Sequence, residues 1–331
     1  MFFCEQQSIV TSDLVIRVFQ GLQKKIKMPT PNNVLAHGLL KEPEETKEIR
    51  LVEISSGGAY SAVYSELISA LSTALQRLNI RVSYHSNSIS NRVPNLIFGW
   101  YRNFVTASRD IPRLPANCIL VNMVPLTAVQ SAPWLDPYLK SLAFCPVVDY
   151  SALNCEIIQG LGNQKVFRFR FGYTPLTPFK FPVKHNDFIF YGKVTSHRKP
   201  ILENLLNKAV PLKLLRDCWG HQRDLQIGMA AGVINIGKFD QNILEVYRLW
   251  QSLCLGTPVI SERGVDTKLV EEWKNYVYFI DDIDDIIDII SRKIGLPDPM
   301  LYQRETSFDD ETCRLLKWIR EMSFAGGWKP S

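Results

Sequence analysis

Positively charged side chains are concentrated in one short loop in the second half of the chain. Lys193, Arg198 and Lys199 follow the apolar segment FIFYG and precede the helical pattern PILENLL. Cations at a helix N-terminus favour a diphosphate, because the helix dipole and the side chains both attract anions. An ordinary solvated basic loop has the same composition. Both interpretations are therefore open at this level.

A second pair of charges, Glu245 and Arg248, has the three-residue spacing that places two side chains on one face of a helix. Charges in a mostly buried helix are usually paired or used in binding, whereas an exposed pair would be a salt bridge of little weight. We expect Glu245 to accept hydrogen bonds from ribose hydroxyls, and Arg248 to contact phosphate or to hold Glu245. The apolar neighbours that predict burial are Ile243, Leu244, Val246, Leu249 and Trp250.

Two residues are candidates for general acid–base chemistry. Asp149, in VVDYS, is expected at the end of a strand, where its carboxylate would take a proton from a hydroxyl or orient Tyr150. The competing interpretation is that Asp149 and Ser151 cap the next helix. His85, near the end of another strand, is an alternative base because histidine side chains commonly exchange protons near neutral pH, although a lone histidine is more often structural.

The elements that must position these residues alternate between strands and helices from about residue 48 onward. Such alternation predicts parallel sheets with helices on both faces, and therefore the α/β class. The number of strands indicates two sheets, with a seam near residues 175–186. The Gly-rich turn SSGGAYS follows the first strand, and its Gly57 and Gly58 allow the backbone to approach another molecule closely. Tyr60 lies in the same turn.

Four segments are predicted from these patterns. Residues 1–46 would form a basic amphipathic helix at 12–27 and a linker. Residues 47–182 and 183–303 would each form an α/β domain with a parallel sheet, and 304–331 would form a helix packing back across both. The helix at 12–27 is either a membrane-surface anchor or a helix packed on the domain behind it.

Composition excludes several classes of protein. The 331 residues carry a formal charge of +5, well short of the concentrated basic stripe of a nucleic-acid-binding domain, so we expect no nucleic-acid partner. Seven scattered cysteines show no zinc-ligand spacing, so no metal site is expected. The chain also has no G-x-G-x-x-G, phosphate-loop or G-x-S-x-G motif and no long apolar segment, which argues against dehydrogenases, phosphate-loop NTPases, the usual hydrolases and spanning helices.

Seven short motifs in order resemble those of bacterial glycosyltransferases from polysaccharide gene clusters, which are similar to the group 1 type with a GT-B fold. The arrangement of helix, small loop CLGTPVISE and strand is similar as well, and the order and spacing hold over roughly residues 95–280. The motifs are VVDYSALN (147–154), FGYTP (171–175), FYGKVTSHRKPIL (190–202), GHQRD (220–224), INIG (234–237), EVYR (245–248) and VISE (259–262).

This resemblance implies two Rossmann-like domains facing across a cleft. The C-terminal domain would bind a nucleotide-sugar donor, and the N-terminal domain, with the turn of Gly57, Gly58 and Tyr60, would bind a glycan or glycolipid acceptor. Lys193 and Arg198 would then stabilise the leaving diphosphate. The remaining donor contacts are expected from Asn235, Asn242, Glu245 and Arg248.

The resemblance further implies transfer without a bound metal or other cofactor, in polysaccharide biosynthesis, by a cytoplasmic protein or one peripheral at the inner membrane face. Two positions depart from the family pattern. An expected acid is replaced by Val124, and an expected histidine by Gly237. These departures leave open a catalytically inactive GT-B-like protein that binds a glycan or a partner.

Overall fold

A computed structural model describes residues 46–55, 64–106, 114–127, 132–177, 181, 184–239, 242–292 and 294–325. The predicted helix at 12–27 and the turn residues Gly57, Gly58 and Tyr60 lie outside the described residues.

The first half of the chain builds a six-stranded sheet in the order β2-β1-β3-β4-β5-β6, and each neighbouring pair is parallel. The second strand pairs with one edge of β1, and the third strand pairs with the opposite edge of β1. The strand order therefore reverses between β1 and β3. The strands are β1 (Glu48–Glu53), β2 (Arg81–Ser86), β3 (Asn95–Phe98), β4 (Cys118–Asn122), β5 (Val147–Asp149) and β6 (Val166–Arg168).

The second half builds a five-stranded parallel sheet in the order β11-β10-β9-β7-β8, with the same reversal between β7 and β9. In open α/β sheets, ligands bind beyond the carboxyl ends of strands where the order reverses. The strands are β7 (Phe188–Tyr191), β8 (Leu212–Leu215), β9 (Gly232–Asn235), β10 (Val259–Glu262) and β11 (Val277–Ile280).

Helices cover the faces of both sheets. Central strands such as β3, β4 and β9 are buried along their whole length, because helices pack on both of their faces. The helices are α1 (Ser65–Arg77), α2 (Arg102–Thr106), α3 (Leu135–Phe144), α4 (Ala152–Gly160), α5 (Arg198–Asn207), α6 (Gly220–Met229), α7 (Val246–Cys254), α8 (Thr267–Trp273), α9 (Asp284–Ser291), α10 (Pro299–Glu305) and α11 (Phe308–Ala325). No described helix is both long and apolar enough to span a membrane.

The last helix, α11, follows the second sheet but contacts the first half. The ring of Trp318 packs 5.3 Å from that of Phe167 in β6, and Asp309 forms an ion pair with Arg77 at 2.9 Å. These contacts place α11 against the first half of the chain.

Buried polar contacts join the two halves beneath the cleft. Glu66, at the start of α1, accepts hydrogen bonds from Arg223 of α6 and, at 2.6 Å, from the hydroxyl of Tyr247 in α7. Ser151 donates to the carboxylate of Asp266 at 2.7 Å, and that carboxylate also caps α8. Because one side of each contact comes from each half, these groups fix how the two sheets face one another.

Candidate functional site

A cavity of about 990 Å³ lies between the carboxyl edges of the two sheets. Its walls differ in chemistry. The described residues of the first-half wall are aromatic or apolar, namely Tyr64, Tyr101, Met123, Val124, Pro125, Trp134 and Tyr150. The second-half wall carries charge, with Lys193, Lys199, Glu203, Arg216, Asp217, Arg223, Lys238, Glu245 and Arg248.

Two lysines meet where the strand order of the second sheet reverses. Lys193 follows β7, Lys238 follows β9, and Thr195 ties the two loops together by donating to the Lys238 carbonyl at 2.9 Å. Burial lowers the pKa of the Lys238 ammonium; Glu245 opposes this effect, while Arg198 and Lys193 add to it. A bound anion would relieve this crowding of positive charge, so the loops form a candidate diphosphate site.

Arg198 does not occupy the position that the sequence analysis expected. It is only 2% exposed and does not line the cavity. Its guanidinium donates to the carbonyls of Ile236 and Lys193, both at distances near 2.9 Å, and to Glu245 at 2.6 Å. Burial and the neighbouring Arg248 lower its pKa to about 10. Arg198 therefore holds the two loops in place, and the prediction that it binds phosphate directly is not supported by the geometry.

Glu245 and Arg248 do line the cavity, and they contact each other at 2.9 Å. Burial favours the neutral form of Glu245, but Arg248 and Arg198 outweigh it and hold the pKa of the carboxyl below its ordinary value. Oxygen Oε1 accepts from Arg198 and from the Lys238 amide, whereas Oε2 faces Arg248. The ionised Oε2 therefore retains capacity for a further donor, such as a sugar hydroxyl.

The close approach of Arg248 to the chain explains the glycine in FYGK. Gly192 has φ +113°, and a Cβ at this position would lie 2.8 Å from Nη2 of Arg248. A side chain at residue 192 would push the guanidinium out of the site. Only glycine accepts both this backbone conformation and this contact.

Asn235 and Asn242 lie behind the loop that carries Lys238. They line a second cavity of about 220 Å³ on the far side of this loop. The side chain of Asn235 is also engaged, since it accepts from Arg248 at 2.9 Å and donates to Ser261 at 2.9 Å. The structure therefore does not bring these two asparagines to the main cavity with Lys193.

Asp149 is buried under the first-half wall and does not line the main cavity. It accepts hydrogen bonds from the side chain of Asn122 at 2.6 Å and from the amide of Ser151 at 2.8 Å, and Ser151 caps α4. Burial raises the pKa of Asp149 to about 7, although the hydrogen bonds oppose this shift. This arrangement matches the interpretation in which Asp149 and Ser151 begin the next helix.

His85 lies in β2, at the outer edge of the first sheet, and does not line the cavity. The two candidate bases are therefore not brought together with the donor candidates.

The two positions that depart from the family pattern lie in different surroundings. Val124 lines the cavity, and its backbone amide donates a hydrogen bond to the side-chain oxygen of Asn122 at 3.0 Å. At Gly237, a Cβ would lie 3.2 Å from the Cβ of Asn242, so any larger side chain requires neighbouring atoms to shift.

Sequence reasoning missed several residues of the cavity. Lys238 directly follows β9, and a cation after that strand could have been recognised from its position at the reversal of strand order. Tyr101 follows β3 in the same way. Trp134, in SAPWLDP, had no comparable signal in the sequence. Among the described residues, no group of three or more His, Cys, Asp or Glu side chains is arranged to hold a metal ion.

Curated relatives match only parts of the chain. An uncharacterized protein of Acanthamoeba polyphaga mimivirus is 28% identical over 158 residues, which are 45% of this chain and 50% of that protein. A second uncharacterized protein of the same virus is 30% identical over 106 residues, or 31% of this chain and 14% of the relative. The match thus spans half or less of each relative. No family model matches the chain.

Solved structures are similar over most of the chain. AviGT4, a glycosyltransferase involved in avilamycin A biosynthesis, aligns with a TM-score of 0.53 at 12% identity, covering 84% of this chain and 98% of AviGT4. An alpha1,3-fucosyltransferase with GDP-fucose aligns with a TM-score of 0.45 at 11% identity, covering 87% and 93%. The likeness to AviGT4 shows that this chain has the GT-B fold, with two Rossmann-like halves, as the sequence motifs implied.

Proposed function

We propose that this chain is a glycosyltransferase that moves a sugar from a nucleoside-diphosphate sugar to a hydroxyl of a glycan or glycolipid. The observation that carries the proposal is the pair Lys193 and Lys238. These lysines lie at the strand-order reversal of the second sheet and face an aromatic wall across one cavity. The natural setting would be the cytoplasmic assembly of a polysaccharide or glycolipid.

The diphosphate would bind between the loops that follow β7 and β9. Lys193 and Lys238 supply the charge, and the N-termini of α5 and α7 point to the same edge of the sheet. Negative charge grows on the diphosphate as the glycosidic bond breaks, so fixed cations stabilise the transition state more than the ground state. We propose that these lysines fulfil the role for which other transferases need a metal ion.

The nucleoside would lie along the second-half wall. Oε2 of Glu245 would accept a hydrogen bond from a ribose hydroxyl. Trp219 lines the same cavity beside Leu206 and Leu214, and its indole Nε1 is buried without a hydrogen-bond partner. A nucleobase stacked on the Trp219 ring would gain apolar contact.

In the transfer, the acceptor oxygen forms a bond to the anomeric carbon while the bond from that carbon to the phosphate oxygen breaks. The nucleoside diphosphate leaves with the electron pair of that bond. The proton of the acceptor hydroxyl is released to solvent or to the leaving diphosphate; Asp149 and His85 do not line the cavity.

Equilibrium binding of UDP, GDP, CDP and dTDP in the presence of EDTA tests the donor site. At least one should raise the melting temperature, since a ligand at a hundred times its Kd stabilises by about 2.7 kcal/mol. Lys193→Met and Lys238→Met should each weaken binding about tenfold or more, because a charge-assisted hydrogen bond contributes about 1.5–3 kcal/mol. Lys274→Met is the matched control, since Lys274 pairs with Glu271 on the surface.

Turnover separates the enzyme from the inactive alternative. Sugar transfer or slow hydrolysis of the matching nucleotide sugar should occur without added metal and should be lost in Lys238→Met. Binding without any turnover would favour a GT-B-like binding protein. No binding of any nucleoside diphosphate would contradict the proposed function.

A further inference from the structure

Two half-buried rings form a platform on the first-half wall of the cavity. Tyr101 and Trp134 both line the cavity, and their ring centroids are 5.4 Å apart with an interplanar angle of 41°. Together they present two adjacent, mutually tilted rings to the cavity. This platform lies on the half opposite the cations, where an acceptor would bind.

The buried ring of Tyr138 supports the two rings of the platform. Tyr138, which is 1% exposed, packs edge-on against Tyr101 at 6.2 Å and against Trp134 at 6.1 Å. Its hydroxyl donates to Asn122 at 2.6 Å, and Asn122 in turn donates to Asp149. A ring pair supported by a buried hydrogen-bonded network loses little freedom when a ligand stacks on it, so the surface is preorganised for binding.

Hydroxyl and apolar groups line the described part of this wall. Arg102 lies 5.2 Å from the Tyr64 ring centroid, but it is buried, pairs with Glu53 at 3.4 Å and does not line the cavity. Tyr64 and Tyr150 line the same wall, and burial raises the pKa of both phenols well above the ordinary value, so both keep their protons. Every other described residue of this wall is apolar. A ligand that matches it carries no charge, has one flat apolar face and presents hydroxyls at its edges.

We infer that the acceptor is a neutral pyranoside whose C–H face stacks on Tyr101 and Trp134. This inference rests on the proposed function and specifies its second substrate. The axial C–H bonds of a pyranose form an apolar patch with slightly positive hydrogens, which suits the negative face of an aromatic ring. The tyrosine hydroxyls can then exchange hydrogen bonds with the equatorial hydroxyls. A planar phenol would use the rings but not these hydroxyls, and a uronic acid would place its carboxylate against a wall whose described lining residues carry no charge.

The test measures binding of single sugars without a donor. Methyl glucoside, methyl galactoside, methyl mannoside, methyl glucuronide and phenol are titrated into the full chain, with tryptophan fluorescence and ligand-observed NMR as readouts. At least one neutral pyranoside should bind and perturb the fluorescence, and methyl glucuronide should bind at least tenfold more weakly. Trp134→Leu should weaken the neutral sugar at least tenfold, whereas Trp134→Phe should restore affinity to within about threefold of the original protein.

Trp318→Leu is the matched control, because Trp318 packs on Phe167 away from the cavity and should leave sugar affinity unchanged. Binding of UDP or another nucleoside diphosphate is measured on the same samples. If a nucleotide binds but no neutral pyranoside does, or if phenol or the glucuronide binds best, this inference is overturned while the proposed function stands. If pyranosides bind as expected and no nucleotide does, the proposed function fails and the sugar platform stands as a glycan-binding site.

Discussion

The two walls of the cleft differ in where their polar and charged groups lie. On the second-half wall, Arg198 and Arg248 are buried and bonded to Glu245, while Lys193 is exposed and faces the cavity. On the first-half wall, the polar network of Asn122 and Asp149 lies beneath the surface, and rings face the cavity. Exposed charges such as Lys193 are therefore placed to meet a ligand, whereas the buried groups of both halves position the surfaces above them.

The largest expected effect concerns the buried arginine of the second half. Arg198→Met should lower the free energy of unfolding by about 3–5 kcal/mol, because breaking a buried ion pair leaves several partners unsatisfied. Lys193→Met, five positions earlier, should change stability by less than about 0.5 kcal/mol yet weaken nucleotide binding. Urea denaturation and calorimetric titration of both variants check this. Equal stability losses in the two variants would remove the distinction between structural and ligand-facing cations.

The next effect belongs to Asp149 beneath the first-half wall. Because burial raises its pKa to about 7 in the folded chain, the folded state holds a proton that the unfolded state has released. The contribution of Asp149 to the free energy of unfolding is therefore greatest below the pKa of the unfolded chain. It decreases as pH rises toward 7, by about 2–3 kcal/mol between pH 5 and 7.

Unfolding free energies at pH 5, 6, 7 and 8 should fall less steeply in Asp149→Asn than in the original protein. The comparison is made between the two proteins, since other groups also titrate in this range. Parallel pH profiles would show that the protonation of Asp149 does not change with pH in this range.

A smaller effect is expected where Arg248 meets the chain. Gly192→Ala should cost about 1–2 kcal/mol of stability, because alanine is strained at φ +113°. It should also weaken nucleotide binding, since the new Cβ displaces the Arg248 guanidinium. Thermal unfolding and nucleotide titration of this variant are the measurements. Unchanged binding with reduced stability would limit Arg248 to a structural role.

The smallest effect should come from Lys199, which lines the cavity but is two-thirds exposed beside Glu203 at 3.8 Å. Lys199→Ala should change stability by less than about 0.5 kcal/mol, as expected for an exposed pair within one helix. Chemical denaturation provides the measurement. A loss comparable to that of Arg198→Met would show that exposure does not separate the two kinds of cation on this wall.

Much of the fold could be predicted from the sequence, because the hydrophobic pattern of consecutive residues indicates strands and helices. The run CILVNMV became β4, and AGVINIG became β9, since continuous apolar segments suit strands buried on both faces. The acidic run at 281–293 became α9 with Ile286 and Ile289 buried, as its spacing indicates. The spacing of Glu245 and Arg248 likewise predicted their contact.

The assignment of site roles was weaker, because burial is a property of the assembled chain. Nothing in FYGKVTSHRKP distinguishes the Arg198 that bonds backbone carbonyls from the Lys193 that faces the cavity. Asn235 and Asn242 follow a strand at the correct edge, yet they point to a second cavity behind the loop. Trp134 and Tyr101 are 33 positions apart in the chain and meet only through packing on Tyr138.

The sequence by itself determined the two α/β halves, the loop that carries the cations and the resemblance to GT-B transferases, because periodicity and short motifs are written in consecutive residues. Only the tertiary structure decided which charges are bonded to one another and which remain free, that Asp149 lies beneath the cavity wall, and that the opposite wall is aromatic. Those properties depend on which distant segments exclude water from a side chain, and hydrogen bonding and pKa follow from that exclusion.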